Sequence, residues 1–92
     1  MGKEVKMSEN PAKVWMETEL AKLPPLPKEI EYRSGCKVAW RTYRTMKEAK
    51  IASKHAAITA AYYAHLGYDF GYSSPGFIHK NHSTRRYTVT FP

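Results

Sequence analysis

Between Ala39 and Lys54 the chain reads AWRTYRTMKEAKIASK, setting Arg41, Arg44, Lys47, Lys50 and Lys54 against one acid, Glu48. Such a density of cations suits phosphate chemistry. Each phosphate neutralised by Lys or Arg releases condensed counterions, and that release drives binding. Arg33 and Lys37 precede the run, and Lys80, Arg85 and Arg86 bring further charge near the C-terminus. Tyr32, Tyr43, Tyr68 and Tyr72 offer aromatic surfaces on which unpaired bases stack. The candidate binding set is therefore Arg33, Lys37, Arg41, Tyr43, Arg44, Lys47, Lys50, Lys54, Lys80, Arg85 and Arg86. Its competitor is a solvated face that merely keeps a basic domain soluble.

Other chemistries find less support. His79 and His82 have H-x-x-H spacing, but on a strand or turn this does not aim two imidazoles at one ion. His55 and His65 are ten residues apart on a predicted helix, roughly 15 Å along its axis. No metal site and no cofactor is assigned. Cys36, the single cysteine, excludes a disulfide scaffold and reads as a structural residue on the inward face of a strand. Only Glu48 and Asp69 accompany the aromatic and basic residues, so paired carboxylates for general acid–base work are missing there. One enzyme reading survives: a small ribonuclease toxin working with Lys80, His82, Arg85, Arg86 and Tyr87. No catalytic residue is assigned, and a binding protein without catalysis is the expectation.

At 92 residues, 42% apolar and 25% charged, the chain reads as one domain, 1–92, with residues 1–9 a flexible N-terminus. The net charge of +7 is uneven. Residues 1–31 carry five Lys and six Glu, whereas residues 32–92 carry ten Lys/Arg and two acids. That asymmetry is the electrostatic footprint expected for a nucleic-acid partner. The opening MGKEVKMSEN lacks the apolar run of a signal peptide, and the longest helix holds too many charges to span a bilayer. A cytoplasmic location is the expectation.

The elements that must position these residues follow from periodicity and caps. Asn10-Pro11 is an N-cap and first-turn proline for a short helix whose stripe is Ala12, Trp15, Met16, Leu20 and Leu23. Pro24 and Pro25 end it. Two strands follow around Ser34-Gly35, with Cys36, Val38 and Trp40 expected inward and Lys37, Ala39 and Arg41 outward. Thr45 and Glu48 have capping-box spacing, and Gly67 stands where a helix ends. The long helix between them has Ile51, His55, Ile58, Tyr62 and Leu66 as its expected apolar stripe. Ala49, Ser53, Ala56 and Ala60 form a small-residue back. Strands are expected at Tyr68–Tyr72, Phe77–Lys80 and Arg86–Phe91, the last alternating Tyr87, Val89 and Phe91 against Arg86, Thr88 and Thr90. The sum is an α+β fold: a small antiparallel sheet packed against one long helix, with a short N-terminal helix.

In size, charge and abundance of Tyr the chain resembles phage-encoded accessory proteins, with MKEAKIASKHAAITAAYYAHLGYDFGYSSPG the most phage-like part. Among these it is most similar to the small anti-CRISPR proteins that act on the type I-F surveillance complex. These inhibitors share no diagnostic motif, so no residue role is carried over. The resemblance implies a stoichiometric inhibitor in the host cytoplasm that docks on a Cas protein–guide RNA complex and keeps target DNA from the guide. Lys and Arg would meet guide phosphates, with Tyr and Trp as protein-facing anchors. A basic nucleic-acid-binding regulator or a ribosome-associated protein fits the same residues. A helix-turn-helix repressor does not, since two short helices joined by a tight turn are missing.

Overall fold

The computed structural model describes residues 10–71 and 74–92; the N-terminal segment 1–9 and Tyr72 lie outside them. In chain order the elements are α1 (Pro11–Ala21), β1 (Glu31–Ser34), β2 (Ala39–Tyr43), α2 (Met46–His65), β3 (Ile78–Asn81) and β4 (Arg86–Phe91). The fold is α+β, with α2 lying across one face of a four-stranded antiparallel sheet of order β1-β2-β4-β3. Over Tyr68–Gly71 the expected strand does not form. Asp69 turns the chain instead, its carboxylate accepting from the Gly71 amide at 2.9 Å, an Asx turn.

Helix ends follow the sequence signals closely. The Asn10 side chain accepts from the Ala12 amide at 2.8 Å, and the Thr45 hydroxyl accepts from the Glu48 amide at 3.1 Å. Each satisfies an orphan donor of a first turn. At the far end of α2, Gly67 adopts φ +92°, its amide bonds Ala64 O at 2.9 Å, and the Tyr68 amide bonds Tyr63 O at 3.0 Å. That pair is a Schellman motif, and its usual apolar contact is present as Tyr63 against Tyr68, ring centroids 5.9 Å apart.

Two faces are opposite to expectation. In β2 it is Ala39, Arg41 and Tyr43 that lie on the helix side, paired with Phe91, Val89 and Tyr87 of β4, while Trp40 and Thr42 face away. In α2 the sheet-facing residues are Ala49, Ala52 and Ala56, all fully buried. Ile51, His55, Ile58 and Tyr62 are only partly buried and lie on the flank of α2 that faces α1. There the His55 ring meets Pro24 O at 2.8 Å. Both inversions have one cause. Alanine lets a helix backbone sit close to the sheet, and the pocket so formed has room for Val89, Phe91 and Tyr43. Trp40 packs on the opposite face, against Gly35. The close approach continues at Gly76, where a Cβ would stand 3.3 Å from Ser53 O and 3.4 Å from Ala57 Cβ. The Ser53 hydroxyl donates to Gly76 O across the same gap. Cys36, expected inward, is exposed in the β1–β2 turn. On α1, Trp15 departs from its expected stripe and is exposed.

Candidate nucleic-acid interface

Strand direction sorts the basic residues. β2 and β3 end, and α2 and β4 begin, at the same end of the sheet, because Tyr43 pairs with Tyr87 and Lys80 pairs with Tyr87. This end collects Arg44, Lys47, Lys50, Lys80, Arg85 and Arg86, all exposed, with Lys54 one turn further along α2. Ser53 and Ala57, the helical neighbours of Lys50 and Lys54, rest against Gly76 just ahead of β3. The lysine flank of α2 therefore turns toward the β3 edge, where Lys80 stands over the Tyr87 ring at 5.8 Å. The hairpin joining β3 to β4 completes the cluster. Asn81 Oδ1 accepts from the Ser83 and Thr84 amides at 2.9 and 3.1 Å, and Asn81 O accepts from the Arg85 amide at 2.7 Å. Arg85 closes the turn at φ +61°, a left-handed conformation that suits glycine and strains a long side chain's backbone.

Four predicted residues lie apart from this cluster. Arg41, expected outward, is half-buried on the helix side of β2. Its guanidinium covers Phe91 at 4.6 Å and Tyr32 at 5.6 Å and pairs with Glu29 at 3.5 Å. Tyr43, expected as a stacking surface, is fully buried under α2. Lys37 is exposed in the β1–β2 turn at the opposite end of the sheet. Arg33 lies on the face turned away from α2, 4.8 Å over the Trp40 ring. Of the other tyrosines, Tyr68 is exposed just past the end of α2, its ring between those of exposed Tyr63 in the last turns of α2 and half-buried Phe70.

The ion-pair pattern separates structural from available charge. Among the described residues, Lys22 pairs with Glu19 at 3.1 Å and Arg41 with Glu29, whereas no basic residue of the clustered end has a salt bridge. Its seven cations sit beside few acids: Glu48 on α2, Glu31 on β1, and Glu29 just ahead of β1, which is paired with Arg41. Burial pushes the Tyr43 phenol above its usual range, against the opposing pull of the nearby Arg41 charge. Its hydroxyl and Arg41 Nε lack a hydrogen-bond partner among the described residues. These two groups belong to the packing between α2 and the sheet.

Sequence reasoning missed the open face of the sheet. Register aligns Arg33 with Trp40 and Trp40 with Thr90, and the Thr90 amide bonds Phe77 O at 3.1 Å. One row thus runs Arg33, Trp40, Thr90, Phe77 across the sheet. The next row is Glu31, Thr42, Thr88, His79, with the two threonine hydroxyls 3.0 Å apart. Beyond it come Asn81 and Arg86, with Arg44 one residue past the end of β2. Shallow grooves cross this face, lined by Arg33, Trp40, Thr88, Asn81 and, on one side, Phe77. Trp40 is seated against Gly35, where a Cβ would come within 2.6 Å of the indole. The Arg86, Thr88, Thr90 alternation already marked the polar floor of this face; the large residues bordering it were the part not read. Among the described residues no three His, Cys, Asp or Glu side chains come together as a metal site. No family model, no curated protein and no solved structure matches the chain.

Proposed function

We propose that the protein is a non-catalytic binder of a nucleic-acid-bearing assembly, gripping phosphates with Arg44, Lys47, Lys50, Lys80, Arg85 and Arg86. The observation that carries this reading is the convergence of those residues, from separate stretches of sequence and without salt bridges among the described residues, at the one end of the sheet where α2 begins. Local stability does not account for it. Like charges gathered on neighbouring strands repel, and lysines in the first turns of a helix oppose its dipole. A polyanion reverses both costs. The assembly we propose is the type I-F Cas protein–guide RNA complex, on which the protein acts as a stoichiometric inhibitor of target DNA binding.

The test is a titration of the purified surveillance complex with the protein before labelled target DNA is added. Wild type is expected to abolish DNA binding near one equivalent per site, and the Arg44→Glu/Lys47→Glu/Lys50→Glu variant to lose that effect while keeping its circular dichroism. With three or four phosphates of guide RNA contacted, the log–log salt slope of affinity is roughly −2 to −3. Binding of free RNA together with no effect on the complex would leave a general nucleic-acid regulator instead. Affinity insensitive to salt would remove the phosphate grip altogether.

A further inference from the structure

The open sheet face identifies the class of nucleic acid that the basic end would hold. Trp40 and Phe77 stand in one cross-strand row with only Thr90 between them, two strands apart, or about 10 Å at the backbone. A planar ring set between them meets each at the 4.5–7 Å centroid spacing typical of aromatic pairs. Phe77 is 59% exposed, the most exposed of the large hydrophobic residues among those described. Among the described residues it belongs neither to the core cluster nor to the hydrophobics packed against that cluster. Trp40, by contrast, is held: Gly35 leaves space for the indole and Arg33 lies over it. Four residues along the same face, about 14 Å away, Arg44 and Arg86 begin the phosphate-binding end. Glu31 borders the face on the β1 side and turns a polyanion toward β4 and β3.

We propose that this face binds single-stranded nucleic acid, with a base stacked in the Trp40–Phe77 slot and the adjoining backbone led across the Thr42–Thr88 floor to Arg44 and Arg86. Charge complementarity and the aromatic pair together select this occupant. A duplex presents phosphates but keeps its base faces inside the stack, so it engages the basic end alone. The inference rests on the phosphate-binding reading above and adds the requirement for unpaired bases.

Trp15 lies exposed on α1, so Trp15→Phe leaves Trp40 as the sole indole reporter. Twelve-residue oligouridylate and a twelve-pair RNA duplex are titrated into this variant at several salt concentrations. The single strand is expected to quench Trp40 emission and the duplex to leave it unchanged. In parallel, anisotropy of labelled oligouridylate is followed with Trp40→Ala and Phe77→Ala. Each is expected to bind roughly 5- to 150-fold more weakly, the loss of one base stack, with the salt slope unaltered. Because Phe77 is exposed, its variant keeps the test valid if Trp40→Ala unfolds. Tight, salt-dependent binding with silent Trp40 emission and unaffected variants would overturn the stacking site and leave the phosphate grip standing. No binding of either RNA overturns both.

Discussion

Arg85 offers a perturbation that moves stability and binding in opposite directions. Its φ of +61° places a β-carbon where L-residues are disfavoured by about 1–2 kcal/mol. Glycine removes that penalty but gives back roughly 0.5–1 kcal/mol in extra freedom of the unfolded chain. Arg85→Gly is therefore expected to stabilise the protein by about 0.5–1 kcal/mol. At about 2.1 cal/mol/K per residue, unfolding 92 residues carries an entropy near 0.19 kcal/mol/K, so Tm rises by about 3–5 °C. The same change removes a cation from the basic end of the sheet, where phosphate binding is proposed. Affinity for single-stranded RNA falls, and the salt slope becomes shallower by about 0.7, one phosphate's worth. Calorimetry and a salt series of anisotropy titrations read the two effects. Arg85→Asn, which tolerates the left-handed conformation, is expected to behave similarly, and Arg85→Lys to keep both the strain and the binding. A lower Tm for Arg85→Gly, or an unchanged affinity and slope, refutes the idea that strain is retained here for the sake of the charge.

The remaining expectations concern the fold beneath the interface. Tyr43→Phe removes a buried hydroxyl that sits beside the Arg41 guanidinium and makes no well-formed hydrogen bond among the described residues, so it is expected to leave stability unchanged or raise it by up to about 1 kcal/mol. Burial raises the phenol's pKa, so the folded chain keeps a proton that the unfolded chain releases; stability is level below about pH 10 and falls above it, less steeply in Tyr43→Phe. Denaturant melts at pH 8 and 10.5 check both. Thr45→Ala is expected to cost about 0.5–2 kcal/mol by uncapping α2. Ala52→Leu, against the sheet, should cost about 1–3 kcal/mol through overpacking, whereas Lys54→Leu on the exposed flank should not. Arg41→Glu, set against Glu29, should lower Tm, while Arg44→Glu leaves Tm near wild type and weakens RNA binding.

What could be read before folding was local. Asn10, Thr45 and Gly67 announce helix ends through bonds to neighbours a few residues away, and β4 declares its faces because Tyr87, Val89 and Phe91 stand against Arg and Thr. β2 gave two equally plausible faces. Val38, Trp40 and Thr42 alternate with Ala39, Arg41 and Tyr43, and choosing the larger apolar ring put Trp40 inside. The deciding fact was not local: Tyr43 packs with the alanines of α2, and Trp40 lies on the other face beside Gly35. The same error carried Arg41 onto the surface. The clustered basic residues were visible individually, but only the β3–β4 hairpin brings Lys80, Arg85 and Arg86 to the start of α2. The Trp40–Phe77 row joins residues 37 positions apart in sequence, and no periodicity signals such a pair.

The alanine contact face of α2 also has a calorimetric consequence. Heat capacity of unfolding tracks the apolar area newly exposed to water, and a typical chain of 92 residues gives about 1.1–1.4 kcal/mol/K. Here the side chains that α2 hides against the sheet are three methyl groups, at Ala49, Ala52 and Ala56, and large apolar groups elsewhere, such as Trp15, Leu66 and Phe77, already meet solvent when folded. The increment should therefore lie below that range. A smaller increment flattens the dependence of stability on temperature, so warming and cooling erode the folded state slowly and cold denaturation recedes further below freezing.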